Sequence, residues 1–527
     1  MPDAPAPHRF GGAVAVATGI FLSRIAGLVR ERVIAHYLGT SPAAAAFRAA
    51  LRIPNLLQTL LGEGVLSASF IPVYSRLLAE GRTEEASRVA RVVGTLLALV
   101  ASAVAVLGVI AADPLVDLLA PGFEESTRAL TVQLVQIMFP GTALLVMSAW
   151  CLGVLNSHRR FFLSYVSPVL WNVALIAAAV AAGSRLLVDA DLAVWLAWGA
   201  VIGSAAQFFV QLPTVIRLLR GLSPSLDVKD DGVRATLRAF VPILFGRGSV
   251  QLSAYIDQVL ASYLTEAIVA AMSYAQTLYL LPVSLFGMAI SAAELPEMSG
   301  GTGDATARVQ HLQTRLAGSL RRVVFLVVPS AVAFAAIGGS IVALVFETGR
   351  FGGDDSELVW IILAGSALGL LPNTIGRLLG SAFYALSDPK PPVRAALVRV
   401  VLGTGLGYVI ALPLRHALGY SVEAAAFGLT ASAGFAAWVE LLLLRRWLAE
   451  RIGAVPIPVR FGLGALGASI LAGGLGYGGG YVADGLGTPR WMAALVAVGV
   501  FGVVYLGAMA AAKVPEARGF VRRVLRR

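Results

Sequence analysis

The chain has 527 residues, of which 57% are hydrophobic and only 13% charged, and its formal net charge is +11. A soluble protein of this length needs more charge to cover its surface, so the composition excludes an ordinary soluble enzyme or binding domain. Apolar stretches of about 20 residues recur along the whole chain, and each is long enough to cross a membrane. These stretches predict an all-α protein that crosses the membrane many times.

Fourteen apolar segments are predicted to be transmembrane helices, with boundaries accurate to a few residues. They lie at 10–37, 43–75, 92–112, 129–155, 161–183, 192–216, 235–263, 267–296, 323–346, 358–385, 393–412, 422–444, 460–482 and 491–512. The polar stretch 222–231 follows the sixth segment and predicts a division into two lobes. The expected parts are an N-terminal lobe at 10–220, a C-terminal lobe at 233–450, two further helices at 458–513 and a basic tail at 514–527. Two such lobes suit transport by alternating access.

The basic residues predict the orientation of the chain in the membrane. The even-numbered connections and the two termini carry most of the 41 Lys and Arg residues, whereas the odd-numbered connections carry five. Because positively charged connections stay in the cytoplasm, both termini are predicted to be cytoplasmic. The basic tail is explained more simply as an inside anchor than as a nucleic-acid site.

Charged residues inside the predicted helices are the main candidates for function, because a charge at membrane depth is costly unless it faces water or a partner. The first two segments contain Arg24, Arg30, Glu31, Arg32, Arg48, Arg52 and Glu63, and later segments contain Arg247, Asp257, Glu294, Arg377 and Glu440. The arginines predict a cationic cavity for an anionic substrate, since guanidinium groups suit phosphates. The alternative is internal Arg–Glu pairing together with snorkelling at helix ends, which is favoured for Arg32, Glu294 and Glu440.

Catalytic and cofactor motifs are not found in the sequence. There is no phosphate-binding glycine loop, the five His residues have no metal-ligand spacing, and no nucleophile has a plausible base. The single cysteine, Cys151, excludes a disulfide framework within the chain. The sequence therefore favours a transporter over an enzyme, with no cofactor and no metal centre.

Several runs of residues resemble the MurJ/MviN family of lipid II flippases. The first-helix run 23–31 reads SRIAGLVRE, and the second helix contains RIPNLL at 52–57 followed by Glu63 and Gly64. Further similar runs are APGF at 120–123, FETGRF at 346–351 and FYALSD at 383–388. The resemblance implies a fold of the MOP superfamily, in which two six-helix lobes are followed by two helices. It also implies transport of undecaprenyl-pyrophosphate-linked peptidoglycan precursor to the outer leaflet of the bacterial cytoplasmic membrane. The expected partners are lipid II and the bilayer, with cell-wall synthesis proteins as further candidates and no nucleic acid.

The resemblance implies roles for individual residues, and this chain departs from it at some positions. Arg24 and Arg30 match essential first-helix arginines of the family, and Asn55 lies in the matching second-helix run. A family arginine of the second helix falls on Gln58, and an Asp-Arg pair of the eighth helix falls on Gln276 and Thr277. Arg52 and Arg247 are candidates to replace the lost charge. Together the predicted substrate site comprises Arg24, Arg30, Arg48, Arg52, Arg247 and Arg377, with Glu31, Asn55 and Glu63 as polar neighbours.

Ion coupling is a separate question. Asp257 matches a family sodium ligand, but the matching positions of the eleventh helix are Gly403 and Gly407. One hypothesis is that Arg399 reaches along the helix past these glycines and pairs with Asp257. The alternative is that Arg399 is a cytoplasmic anchor and that Asp257 has another partner.

Three functions remain open on the sequence alone. The first is a lipid II flippase. The second is a flippase for another polyprenyl-linked saccharide, or a drug exporter of the related MATE type. The third is a non-transporting scaffold that binds the lipid precursor or cell-wall enzymes, which Thr277 in place of a charged family residue would fit.

Overall fold

The computed structural model describes residues 9–288, 290, 294, 305–386, 388–456 and 458–525. Within these residues the backbone is almost entirely helical and forms no β-strand; a single isolated bridge joins Thr348 and Phe351. The predicted all-α class is confirmed. It follows from the apolar composition, because a helix satisfies its own backbone hydrogen bonds where no water is present.

The chain divides into two compact units, Met1–Ser262 and Tyr263–Arg527. The helices of the first unit are α1 (Arg9–Leu38), α2 (Pro42–Leu61), α3 (Glu63–Ala79), α4 (Thr83–Ile110), α5 (Ala112–Leu119), α6 (Glu125–Ser157), α7 (Phe161–Ser184), α8 (Asp189–Leu218) and α9 (Asp231–Ser262). The boundary lies one helix later than the polar stretch 222–231, because α9 packs against α3 within the first unit.

The second unit begins with α10 (Glu266–Pro282), which continues as a π-helical turn over Val283–Met288. Its other helices are α11 (Ala305–Ala336), α12 (Gly338–Phe346), α13 (Gly353–Ala367), α14 (Leu370–Ala385), α15 (Lys390–Val409), α16 (Arg415–Leu418), α17 (Val422–Ile452), α18 (Val459–Gly485), α19 (Arg490–Ala511) and α20 (Pro515–Leu525). A second π-helical turn, Ile410–Leu414, joins α15 to α16.

Membrane-spanning helices account for most of both units. Within the described residues, eleven helices are long and apolar enough to cross a membrane, and the pair α13 and α14, bent by 43°, makes up to twelve. The helices α1 and α9 match two further predicted segments, but part of their side chains lies outside the described residues. The predicted total of fourteen is therefore approximate, whereas the polytopic helical architecture is confirmed.

The second predicted segment, 43–75, lies within one candidate membrane span, Pro42–Ala79, which the structure divides into α2 and α3. Ser41 begins α2 by accepting a hydrogen bond from the Ala44 amide at 3.3 Å, and Pro42 occupies the first turn, where its missing N–H costs nothing. The helix ends at Gly62, and a Cβ atom there would lie 2.4 Å from the Gln58 carbonyl oxygen. Glycine thus permits the tight junction at which α3 starts.

Glycines also let helices approach closely, as their abundance predicts. Trp150 of α6 is buried, and its indole N–H donates to the Ala90 carbonyl of α4 at 3.1 Å. A Cβ atom at Gly94 would lie 2.8 Å from this indole, and one at Gly108 would lie 1.9 Å from the Phe139 ring. A side chain at either glycine would force α4 away from α6.

Candidate functional site

A buried carboxylate, Glu31 of α1, is the centre of the polar cluster in the first unit. Its side chain accepts hydrogen bonds from Arg30 beside it and, at 2.5 Å, from Arg48 of α2. Glu31 is 3% exposed and Arg48 8% exposed. A carboxylate so buried is tolerated only when cations compensate it. Two guanidinium groups against one carboxylate leave the cluster with a net positive charge, which suits an anionic ligand.

The guanidinium of Arg30 is also held by α7. It donates to the Asn172 side-chain oxygen at 2.8 Å and lies 4.9 Å from the centre of the Trp171 ring. The Asn172 amide nitrogen donates to the Pro168 carbonyl at 3.1 Å, which fixes the amide with its oxygen toward Arg30. Asn172 and Trp171 were not predicted as site residues. An amide in an otherwise apolar helix was the signal in the sequence, but an uncharged group does not stand out there as an arginine does.

Arg52 lies one turn after Arg48 on α2, and both are predicted site residues. The Tyr255 hydroxyl of α9 donates to the Arg52 carbonyl at 3.0 Å. The guanidinium of Arg52 interacts electrostatically with Asp257, also on α9. A cation near Asp257 is therefore Arg52 of the first unit, which was predicted to be a substrate-site residue.

The remaining predicted residues of the first unit lie apart from this cluster or outside the described side chains. Arg24 is exposed and, within the described residues, has no carboxylate within ion-pair distance. Asn55 is exposed, and its carbonyl accepts a hydrogen bond from the Thr59 hydroxyl at 2.9 Å. The side chains of Glu63 and Arg247 lie outside the described residues.

The second unit contains a polar cluster that joins α10, α14, α15 and α17. Arg399 pairs with Glu440 at 3.1 Å and donates to the Asn373 side-chain oxygen at 2.9 Å. The Asn373 amide nitrogen donates to the Tyr279 hydroxyl oxygen at 2.8 Å. Arg377, a predicted site residue one turn after Asn373, is exposed. This second-unit cluster is defined by Tyr279, Asn373, Arg377, Arg399 and Glu440.

The expectation that Gly403 and Gly407 leave room for the Arg399 side chain is wrong. Both glycines are buried, and a Cβ atom at Gly403 would lie 3.3 Å from the Ala436 side chain of α17. The space is therefore taken by helix packing. Arg399 already has Glu440 as a carboxylate partner, so its charge does not require Asp257.

Comparison with known proteins gives close relatives in sequence and fold. The family model described as lipid II flippase MurJ matches residues 34–480. The lipid II flippase MurJ of Burkholderia cenocepacia is 32% identical over 476 residues, which cover 89% of this chain and 89% of the relative.

Solved structures extend the similarity to the fold. A lipid II flippase MurJ in an inward closed conformation has a TM-score of 0.77 at 21% identity and covers 97% of this chain and 100% of the other. An inward-facing multidrug resistance transporter of the MATE family and MOP superfamily has a TM-score of 0.67 at 14% identity, covering 84% and 98%. The fold of this chain is therefore similar to the folds of both transporters.

Proposed function

Because this chain belongs to the MurJ family, we propose that it is a lipid II flippase, which moves the undecaprenyl-pyrophosphate-linked peptidoglycan precursor from the inner to the outer leaflet by alternating access. The observation that carries the proposal is the net positive cluster of Arg30, Glu31 and Arg48 on α1 and α2, in which Glu31 and Arg48 are buried. The protein is a multi-pass inner-membrane transporter, and the function requires no chemical step at the substrate.

The first-unit cluster supplies the chemistry that a pyrophosphate needs. Guanidinium groups donate paired N–H bonds to phosphate oxygens, and such charge-assisted bonds are stronger than neutral ones. Glu31 and Asn172 hold the Arg30 guanidinium in place before the substrate arrives. A preorganised donor loses little conformational entropy on binding. Arg24, exposed on the same helix, and Arg52 on α2 are proposed to add further cationic contacts, and Arg377 to do so in the second unit.

A carboxylate that already neutralises part of the cationic charge also limits how tightly the substrate is held. A site with Arg30 and Arg48 alone would bind pyrophosphate more strongly but release it more slowly, because affinity differences within one site appear mostly in dissociation. Transport requires both capture and release. Glu31 is therefore proposed to moderate affinity as well as to orient its two arginines.

Complementation of a flippase-depleted bacterium tests the proposal directly. Rescue of growth by this chain is the expected result. Absence of rescue, with the protein inserted in the membrane and still binding lipid II, would instead favour the scaffold function. Rescue of a different polyprenyl-saccharide pathway alone would point to another lipid-linked substrate.

Both termini are proposed to be cytoplasmic, and cell-wall synthesis proteins are proposed as partners on the outer face. Single cysteines introduced in a Cys151→Ala background report the orientation, since Cys151 itself is fully buried and its removal should not alter the surface. Cysteines at 122 and 353 should react with a membrane-impermeant reagent added outside, and cysteines at 225 and 305 should not. The reverse pattern of labelling would invert the orientation.

A further inference from the structure

The second-unit cluster has an excess of unused hydrogen-bond donors. Arg399 has no acceptor role, so the Asn373 atom that faces it must be the oxygen, and the amide nitrogen must face Tyr279. The Tyr279 oxygen is thereby an acceptor for Asn373, and its own hydroxyl hydrogen remains available. Within the described residues this hydrogen has no acceptor.

The two arginines add to the same excess. One terminal nitrogen of Arg399, Nη1, makes the ion-pair contact with Glu440 and also donates the hydrogen bond to Asn373. Its Nε and Nη2 groups have no acceptor within the described part of the chain, and neither does the guanidinium of Arg377. Arg377 is nonetheless close enough to Tyr279 and Glu440 to interact with both electrostatically.

The net charge of the second-unit cluster, like its unused donors, favours an anionic ligand. Arg377 and Arg399 against Glu440 leave one net positive charge on helices that cross the membrane. An exposed guanidinium in the middle of such a helix is too costly against lipid, so Arg377 must face water or a ligand. The groups with free capacity are donors and cations, and the ligand that matches them is an anion with several acceptor oxygens.

We propose that Arg399, Arg377 and Tyr279 form an oxyanion subsite in the second unit, in which Glu440 is the internal counter-ion that holds Arg399 when no ligand is bound. The proposal rests on the flippase function only for the source of the oxyanion, which is a phosphate or a peptide carboxylate of the lipid-linked precursor. Glu440 is a positioning residue here. An arriving oxyanion competes with it for the same guanidinium.

The proposed role of Glu440 predicts the direction in which its substitution changes oxyanion binding. If Glu440 competes with the ligand, Glu440→Gln removes a rival anion and should tighten oxyanion binding several-fold. If Glu440 only supports the fold, the same substitution should weaken binding or leave it unchanged. Arg399→Gln and Tyr279→Phe should both weaken binding, by about tenfold and about threefold respectively, since the first removes a charged donor and the second a neutral one.

Calorimetric titration of the full-length protein in detergent tests these expectations, in an Arg30→Ala background that impairs the first-unit cluster. Inorganic pyrophosphate and an acetylated peptide with free carboxylates are the two probes, and the probe that responds identifies the source of the oxyanion. Arg394→Gln is the matched control, because Arg394 is an exposed arginine on the helix of Arg399 and outside the cluster. It should leave both affinities unchanged.

Unchanged binding of both probes by Arg399→Gln, or weaker or unchanged binding by Glu440→Gln, would overturn the subsite. If Arg399→Gln does not fold, Arg399→Lys keeps the charge but removes the planar fork, and it should still weaken binding. The flippase proposal is judged separately, by lipid II transport in vesicles. Transport by a protein that lacks Arg399-dependent binding would refute the subsite alone, and Arg399-dependent binding without transport would refute the flippase function alone.

Discussion

The two units compensate charge in the membrane by a similar arrangement but to different degrees. In each, a glutamate pairs with an arginine that also donates to an asparagine side chain, Arg30 to Asn172 at 2.8 Å and Arg399 to Asn373 at 2.9 Å. In the first unit two arginines contact one buried carboxylate. Among the described residues of the second unit, Arg399 alone forms an ion pair with Glu440, and Arg377 stays exposed.

The difference follows from burial. The Glu31 side chain is 4% exposed and that of Glu440 14%, while their partners Arg48 and Arg399 are 9% and 31% exposed. Removal of one partner from a buried ion pair leaves a charge that water cannot solvate, whereas a partly exposed pair is screened. The first cluster is therefore expected to be rigid and essential to the local fold, and the second to be adjustable.

The largest effect is expected from the loss of Arg30. Arg30→Ala removes a charge-assisted contact worth about 1.5–3 kcal/mol to the substrate and should abolish complementation, while Arg48 still compensates Glu31 so that the protein folds. Arg24→Ala should also abolish complementation. Growth rescue with each variant and size-exclusion profiles of the purified proteins are the measurements. Full rescue by both variants would rule out a pyrophosphate role for these arginines.

The second prediction compares how much Glu31 and Glu440 each contribute to the free energy of unfolding. Glu31→Gln leaves Arg30 and Arg48 without a buried counter-charge and should lower the free energy of unfolding by about 3–5 kcal/mol. Glu440→Gln should lower it by about 1 kcal/mol, because Arg399 is partly exposed and keeps Asn373. Unfolding in the same detergent gives both values. Equal losses would remove the distinction between a rigid and an adjustable cluster.

Much of the fold could be predicted because the hydropathy of the sequence and its helix-breaking residues directly indicate where membrane helices lie. Each predicted segment overlaps at least one described helix. The junction at Gly62 could not be predicted in this way, because the apolar run continues across it. The helices are separated there by a backbone conformation that is possible only because glycine has no Cβ atom beside the Gln58 carbonyl. The polar stretch 222–231 predicts a lobe boundary before α9, whereas the compact units divide after α9, because compactness depends on packing rather than on local polarity.

The candidate site could be predicted in part for a related reason. An arginine in an apolar helix is visible in the sequence, and Arg30 and Arg48 were both selected on that basis. Their common partner Glu31 lies 17 residues from Arg48, and such pairings depend on how α1 and α2 face each other. Asn172 was missed because an uncharged amide does little to mark a helix, although its contact with Arg30 is as direct as that of Glu31.

The smallest expected effect comes from removing the asparagine side chain of each cluster, Asn172 in the first unit and Asn373 in the second. Asn172 is 5% exposed and its Arg30 contact is enclosed by α1 and α7, so Asn172→Ala should lower the free energy of unfolding by about 1.5–3 kcal/mol, the range for a hydrogen bond to a charged group. Asn373 is half-buried, and Asn373→Ala should cost about 1 kcal/mol.

Transport should likewise fall more for Asn172→Ala than for Asn373→Ala. Without Asn172 the Arg30 guanidinium keeps its charge but loses a positioning contact, so transport in vesicles should fall several-fold rather than disappear. Asn172→Asp provides the control, because it restores an acceptor for Arg30 while cancelling the net positive charge of the cluster. If the cluster binds an anion, Asn172→Asp should fold well and transport poorly. Normal transport by Asn172→Asp would mean that the charge of the first-unit cluster does not matter to the substrate, and the cluster would then be a structural ion pair like many others in buried helices.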